Sequence, residues 1–340
     1  MANSILDTFN RPLRDLRVSV IDRCNFRCTY CMPSEKYSPH YRFLDKKEWL
    51  RFDEIVRLVK LFVDAGVTKV RLTGGEPLLR PNLDELVREL TKMEGIEDLA
   101  LTTNGSLLAE QAEKLYAAGL KRLTVSLDSL DDNVSRAMNG ERAHVEQILA
   151  GIEAAGRAGF RSIKINTVIQ RGINDHTLLN LVKHFKGSGH VLRFIEFMDV
   201  GNQNHWDQAS VVPSREILEI LQKEFSLTAL EKDYRGEVAD RYAFTDGSGE
   251  IGFISSVSEP FCGDCTRLRL SADGKMYTCL FAASGTDLSA PLRSGATDEV
   301  ILGLIKKTWL ARRDRYSEER AARDSSQSHL PKVEMFQVGG

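Results

Sequence analysis

From Leu16 to about Met198, short β-branched runs alternate with amphipathic stretches. The runs are Leu16–Ile21, Lys69–Thr73, Asp98–Thr103, Leu123–Leu127, Ile163–Ile169 and Val191–Phe197. From Lys69 onward they recur every ~25–40 residues, as βα units do when a helix returns the chain to a parallel strand. Three intervening stretches carry helix signals. Asp53 is placed to cap the first, whose apolar stripe holds Ile55, Val56, Val59, Phe62 and Val63 before Gly66. Ser106 is placed to cap the second, with Leu108, Ala112 and Leu115 inward and Gly119 at its end. Asp175 opens the third, carrying Leu178, Leu179, Val182 and Phe185 before Gly187.

The polar positions sharpen this picture, because distinctive chemistry follows almost every run. A cysteine loop follows the first and Gly74-Gly75-Glu76-Pro77 the second. Thr102-Thr103-Asn104-Gly105 ends the third, Ser126 and Asp128 the fourth, Asn166 lies within the fifth, and Glu196 and Met198 end the sixth. Side chains gathered at the C-terminal ends of parallel strands point to one shared mouth, as in a barrel. Periodicity by itself leaves an open doubly wound sheet equally available. After Gly201 the pattern changes. Pro213 and Ser214 open a helix with Ile217, Leu218, Leu221 and Phe225 on one face. Gly-rich turns then separate short runs at Gly249–Ser255, Arg267–Leu270 and Met276–Leu280, and a further helix is expected from Asp298 to about Ala311. A boundary is expected near 205–230, giving regions 1–215 and 216–340.

Composition adds exclusions. The 340 residues suit roughly two domains of about 150 each. A hydrophobic share of 42%, a charged share of 28% and a net charge of −2 describe a soluble globular chain rather than a general nucleic-acid or membrane binder. With Asp7, Arg11, Arg14, Asp15 and Arg17, residues 1–20 do not read as a secretory signal. No apolar run approaches the ~18–20 residues of a membrane span. With reduced, metal-bound cysteines, this indicates the cytoplasm.

The six cysteines fall into two triads: Cys24, Cys28 and Cys31, spaced C-x3-C-x2-C, and Cys262, Cys265 and Cys279, spaced C-x2-C-x13-C. Thiolates this close on a loop can converge on one iron–sulfur cluster. Cubane clusters normally take four Cys ligands, so three leave an iron open for chemistry, whereas structural sites are closed. Zinc with a distant fourth ligand is the competitor. For the second triad, zinc and a cluster are evenly matched, since C-x2-C is also a zinc half-site. Arg17, Arg71, Lys164, Arg267 and Arg269 lie on expected strands or beside the cysteine loops. Arg267 and Arg269 share a face by the two-residue strand period. Such cations are either solvated charges or a polyphosphate site, where charge-assisted hydrogen bonds contribute about 1.5–3 kcal/mol each. There is no P-loop, so any phosphate must be held by side chains.

The first triad, with Tyr30 just before its last cysteine and the Gly-Gly turn after the next strand, resembles the radical S-adenosylmethionine (SAM) enzymes. The stretches Ser19–Pro33, Gly74–Leu78, Arg193–Trp206 and Phe261–Phe281, with the closing Gly339-Gly340, resemble more narrowly the GTP 3′,8-cyclase family of molybdenum cofactor biosynthesis. One departure is Ile21, where that family usually has threonine, which removes a local polar contact but no ligand.

The resemblance implies an α/β fold: an incomplete (β/α)6 barrel with a smaller C-terminal cluster-binding α+β region. It implies two [4Fe–4S] clusters, held by Cys24, Cys28 and Cys31 and by Cys262, Cys265 and Cys279. SAM would contact Tyr30, Gly75, Ser126 and Met198. GTP would contact Arg17, Arg71, Thr102, Lys164, Arg267, Leu268 and Arg269, with guanine on the open iron of the second cluster. Gly339 and Gly340 would enter the barrel mouth and act with the first triad in catalysis. The implied reaction is cleavage of SAM, removal of the C3′ hydrogen of GTP by the resulting radical, and ring closure onto C8. The implied partners are an electron donor, a downstream cyclic pyranopterin monophosphate synthase and, as an assembly, a homodimer; no nucleic acid or membrane is implied. A peptide-modifying radical SAM enzyme and a two-cluster electron carrier are the rivals. The Arg-x-Arg pair favours a nucleotide over a peptide, and a carrier needs neither the Gly-Gly turn nor a basic pocket.

Overall fold

The computed structural model describes residues 4–320 and 331–339. Its first part alternates strand and helix: β1 (Asp15–Ser19), α1 (Phe52–Asp64), β2 (Lys69–Thr73), α2 (Leu83–Thr91), β3 (Asp98–Thr103), α3 (Leu108–Ala117), β4 (Arg122–Ser126), α4 (Asp132–Asn139), α5 (Val145–Ala158), β5 (Lys164–Ile169), α6 (Leu178–Phe185) and β6 (Val191–Glu196). There follow α7 (Ser214–Gln222), β7 (Leu227–Leu230), β8 (Asp240–Phe244), β9 (Glu250–Ile254), β10 (Arg267–Leu270), β11 (Lys275–Tyr277) and β12 (Thr286–Asp287). The helices α8 (Ser289–Arg293), α9 (Asp298–Leu310), α10 (Tyr316–Glu319) and α11 (Met335–Val338) complete the described chain.

Helix starts differ from the expected caps. Asp53 lies inside α1, pairing with Arg51 at 2.9 Å, and Arg51 is the N-cap, its amide donating to the Glu54 carboxylate at 2.7 Å. The early acidic pair Asp53 and Glu54 suits the positive end of the helix. Ser106 sits before α3 and donates to Asn104 Oδ1 at 2.7 Å. Asp175 opens a short 3₁₀ turn that leads into α6.

The twelve strands of the described residues form one sheet, in the order β12-β11-β10-β1-β2-β3-β4-β5-β6-β9-β8-β7. The eight from β10 to β9 are parallel. Antiparallel hairpins finish both ends. The sheet is open, as an incomplete barrel requires. The strands after residue 215 add to both of its edges rather than forming a separate layer. Alternation along each strand divides its two faces. Val18, Leu72, Leu101, Val125, Ile165 and Phe194 are buried in the core that also holds Leu58 and Phe62 of α1 and Leu86 of α2. Each such side chain taken out of water contributes about 1.5–3 kcal/mol. The opposite face carries Arg17, Arg71, Lys164 and Arg193, which line an interior cavity.

Candidate functional site

The first triad lies on the loop after β1, at the C-terminal end of the parallel strands. Gly74 and Gly75, at the end of β2, press against this loop. The Gly75 amide donates to Ile21 O at 2.8 Å, and the Glu76 amide to Arg23 O at 2.8 Å. A Cβ on Gly75 would overlap the Arg23 carbonyl and stand 2.9 Å from the Cys24 nitrogen. Gly74, at φ +146°, has the same problem with the Ile21 carbonyl. Only glycine permits backbones to meet this closely. Position 21 serves this contact through its main chain, so isoleucine fills it as well as threonine, and its side chain is buried in the core.

Glu76 turns back into the protein. Its carboxylate accepts from Thr103 Oγ1 and the Asn104 amide, each at 2.7 Å, and from the Leu78 amide at 3.0 Å. Burial lifts its pKa to about 7 against those donors. Asn104 Nδ2 donates to Asn25 Oδ1 at 2.9 Å, and Asn25 Nδ2 donates to Ser106 Oγ at 2.9 Å. The cysteine loop is thereby tied to the ends of β2 and β3. The Tyr30 hydroxyl donates to Asp128 Oδ2 at 2.8 Å, which ties the loop to β4 as well.

Burial, followed by the nearby Glu76 carboxylate, pushes the Cys24 thiol up to about 12, and burial first also raises Cys28 and Cys31. Such thiols become thiolates only beside a cation, and metal coordination deprotonates them outright. Three soft sulfur donors facing one another suit an iron–sulfur cluster. Among the described residues, no three His, Cys, Asp or Glu side chains converge tightly enough to hold a single metal ion. Ligands of a cluster each bind a different iron and stand further apart than ligands of one ion.

Below this loop, the strands enclose a cavity of ≈ 1540 Å³, counting the solvent at its mouth. Strand register explains its lining. Arg269, Arg17 and Arg71 are neighbours across β10, β1 and β2. One layer nearer the strand N-termini, Arg267, Asp15, Lys69 and Asp98 form a second row. Arg71 Nη1 donates to Thr102 Oγ1 and Thr124 Oγ1, both at 3.0 Å. Burial, then Arg269, Arg267 and Arg71, depresses the Arg17 pKa. Burial, then Arg193, Arg122 and Arg71, brings Lys164 down to about 7. Cations that disfavour one another's charge are a site for an anion. Arg193 Nε, Asn166 Oδ1 and Ser256 Oγ are buried at this cavity and have no hydrogen-bond partner among the described residues.

The second triad lies in the same cavity wall: Cys262 opens a 3₁₀ turn before β10, Cys265 follows that turn, and Cys279 follows β11. Arg312 donates to Cys265 O at 2.7 Å and to its sulfur at 3.2 Å, while Arg267 Nη2 stands 3.5 Å from that sulfur. Burial opposes ionisation of Cys265, but Arg267 and Arg312 outweigh it and hold the thiol at about 6. Cys279 is raised to about 12 by burial, then by Asp314. Arg11 reinforces the turn by donating to Cys262 O and Asp314 O, each at 2.8 Å.

The C-terminal helix α11 packs on β1. Phe336 is buried with Met32 and Tyr37 beneath the first cysteine loop, their cluster touching Cys24 and Cys31. Gly339 follows at φ +72°, against Thr73, and Arg269 donates to the carbonyls of Val338 and Gly339. Gly340 lies outside the described residues.

Of the expected nucleotide contacts, Arg17, Arg71, Thr102, Lys164, Arg267 and Arg269 share the cavity. Leu268 does not: the strand period turns its side chain into the hydrophobic core, so any ligand contact it makes runs through its main chain. Met198 lines the cavity, whereas Tyr30, Gly75 and Ser126 lie outside its lining, toward the cysteine loop. Lys69, Arg122 and Arg193 also line it and were not anticipated. Lys69 was within reach, two residues before Arg71 on the same strand; Arg122 and Arg193 need the register between strands.

Comparison with known proteins agrees with this geometry. Residues 18–185 match the Radical SAM superfamily and residues 190–318 match the family described as Molybdenum Cofactor Synthesis C. The chain is thus a radical SAM protein. A GTP 3′,8-cyclase of Xanthomonas axonopodis pv. citri (strain 306) is 54% identical over 340 residues, covering 100% of both chains. One of Staphylococcus aureus (strain MRSA252) is 47% identical over 341 residues, again covering 100% of both. The chain belongs to the GTP 3′,8-cyclase family. The fold is shared with SuiB of Streptococcus suis, crystallised with its precursor peptide SuiA, at a TM-score of 0.60 and 15% identity over 98% of this chain and 73% of that one. Among the described residues, no helix is long and apolar enough to cross a membrane.

Proposed function

We propose that this chain converts GTP to 3′,8-cyclo-7,8-dihydro-GTP, an early step of molybdenum cofactor biosynthesis. The observation that carries this reading is the single cavity that gathers Arg17, Arg71, Lys164, Arg193 and the second cysteine triad on the inner face of one sheet. A nucleoside triphosphate needs both a polycationic site for its phosphates and a separate site for its base.

Cys24, Cys28 and Cys31 would hold a [4Fe–4S] cluster, with SAM against Tyr30, Gly75, Ser126 and Met198. When bound, this cluster and SAM supply the one-electron chemistry that opens the ribose C3′–H bond. Cys262, Cys265 and Cys279 would hold a second [4Fe–4S] cluster that receives the guanine. Arg17, Arg71, Lys164, Arg267 and Arg269 would orient the nucleotide, with Thr102 bracing Arg71. Gly339 and Gly340 would complete the wall beside the reacting ribose. The remaining parts of the reading are the division into regions 1–215 and 216–340, a cytoplasmic homodimer, an electron donor, and a cyclic pyranopterin monophosphate synthase that consumes the product.

Anaerobic turnover with SAM, reductant and GTP deuterated at C3′ tests the reading. The expected result is an isomer of GTP and transfer of the deuterium to 5′-deoxyadenosine. Reductive cleavage of SAM with no change in GTP would overturn it. Iron and zinc assay after reconstitution tests the second cluster: about eight irons per chain are expected for two [4Fe–4S] clusters, and half that iron with stoichiometric zinc would make the second triad structural.

A further inference from the structure

The lower end of the cavity is lined in part by a residue from outside the parallel strands. Tyr234, in the loop between β7 and β8, enters at the N-terminal ends of β1 and β2, opposite the Cys24 loop. Its ring lies 3.2 Å from the Lys69 ammonium and 5.2 Å from the Arg14 guanidinium. With Gly236, Val238 and Phe261, it lines both this cavity and a smaller outer pocket that also holds Lys232, Arg235 and Asp264. Lys69 begins β2 and Arg71 lies two residues further along the same inner face. A phosphate chain running down from Arg71 therefore meets Lys69 and then the tyrosine ring.

Resting on the GTP reading above, we propose that Tyr234 sets the length of polyphosphate the cavity accepts, favouring nucleoside triphosphates over diphosphates. Two roles combine in it. As a wall, the ring ends the channel where the terminal phosphate of a triphosphate sits. As a cation–π partner, it holds the Lys69 ammonium over its face and so keeps that charge in the cavity instead of releasing it into the outer pocket. The hydroxyl is not needed for either role. Tyr234 is thus a positioning residue, acting on the nucleotide through Lys69.

The test measures binding of GTP, GDP and guanosine 5′-tetraphosphate to the anaerobically reconstituted protein by calorimetry, without reductant. Wild type is compared with Tyr234→Phe, Tyr234→Leu and Tyr234→Ala after iron content and circular dichroism are matched. Tyr234→Phe is expected to keep the wild-type preference for GTP over GDP within about twofold. Tyr234→Ala is expected to lower that preference about tenfold or more, chiefly through weaker GTP binding, and to admit the tetraphosphate. Tyr234→Leu keeps bulk but removes the π face, so GTP preference falls while the tetraphosphate stays excluded; it stands in for the alanine variant if that fails to fold. An unchanged GTP-to-GDP ratio in both the leucine and alanine variants, or equal losses for the two nucleotides, would overturn the proposal. Failure of wild type to bind GTP at all would overturn the underlying reading instead, and this proposal with it.

Discussion

The guanidinium of Arg269 donates to the carbonyl oxygen of Gly339, joining an inner-face strand to the far end of the chain. Gly339 holds a left-handed φ of +72°, and a Cβ there would overlap the Thr73 side chain. Gly339→Ala therefore carries both backbone strain and a clash. Product formation is expected to fall at least tenfold, a barrier change of about 1.4 kcal/mol, and deletion of Gly339-Gly340 to abolish it. Circular dichroism and iron content should remain those of wild type. Wild-type turnover by either variant would remove the tail from the catalytic arrangement.

Gly75→Ala probes the contact between the Gly-Gly turn and the Cys24 loop. The added methyl meets the Arg23 carbonyl and the Cys24 nitrogen, both main-chain atoms that cannot swing aside. The loop must move away from β2, carrying Cys24 with it. Formation of 5′-deoxyadenosine is expected to drop about a hundredfold, since a misplacement near 1 Å has that cost. Retained cleavage of SAM at the normal rate would show that the loop tolerates the shift.

The two triads have separable roles. Cys24→Ser removes a ligand of the cluster beside SAM, so neither 5′-deoxyadenosine nor cyclised nucleotide is expected. Cys265→Ser is expected to leave some cleavage of SAM, uncoupled from GTP, while the product disappears. A radical made without a C3′ hydrogen held about 3–3.5 Å away has nothing to attack. Cyclisation by the Cys265→Ser protein, with its second cluster shown to be absent, would sink the substrate-binding role.

Lys164 gives nucleotide binding a pH dependence. Burial first, then Arg193, Arg122 and Arg71, lower its pKa to about 7, while Glu237 opposes them. Above pH 7 the amine is mainly neutral, and an arriving triphosphate restores its charge. Binding at pH 8.5 is thus expected to take up close to one proton, and GTP affinity to weaken as pH rises past 7. Calorimetry in buffers of different ionisation enthalpy measures the uptake. Lys164→Met should abolish it, and uptake that persists in that variant would assign the proton to another group.

The legible parts of this molecule were those written into local pattern. Lys69–Thr73, Asp98–Thr103 and Arg267–Leu270 are strands with the expected bounds. In Lys69–Thr73 and Arg267–Leu270 cations alternate with aliphatic residues, which sets Arg267 and Arg269 on one face, and the same alternation speaks against a side-chain role for Leu268. The hairpin β7–β8 was missed. Leu230 and its neighbours on this edge strand are exposed, so no burial imposes a hydrophobic pattern. Asp53 misled because an acidic residue is equally favoured inside the first turn, where it sits. The pairing of β10 with β1 joins residues about 250 positions apart, and no local spacing records such a neighbour.

That pairing also fixes an order of events during synthesis. β1 receives its outer neighbour from residues 267–270, and β6 receives its own from residues 251–254. At ~5–20 residues per second on the ribosome, β1 stays an open edge for roughly 12–50 s after it emerges. Such an edge is a template for mispairing. A chain cut at residue 215 would keep both edges open permanently. Iron delivered before residue 270 has emerged would meet a Cys24 loop whose strand is still paired on one side only.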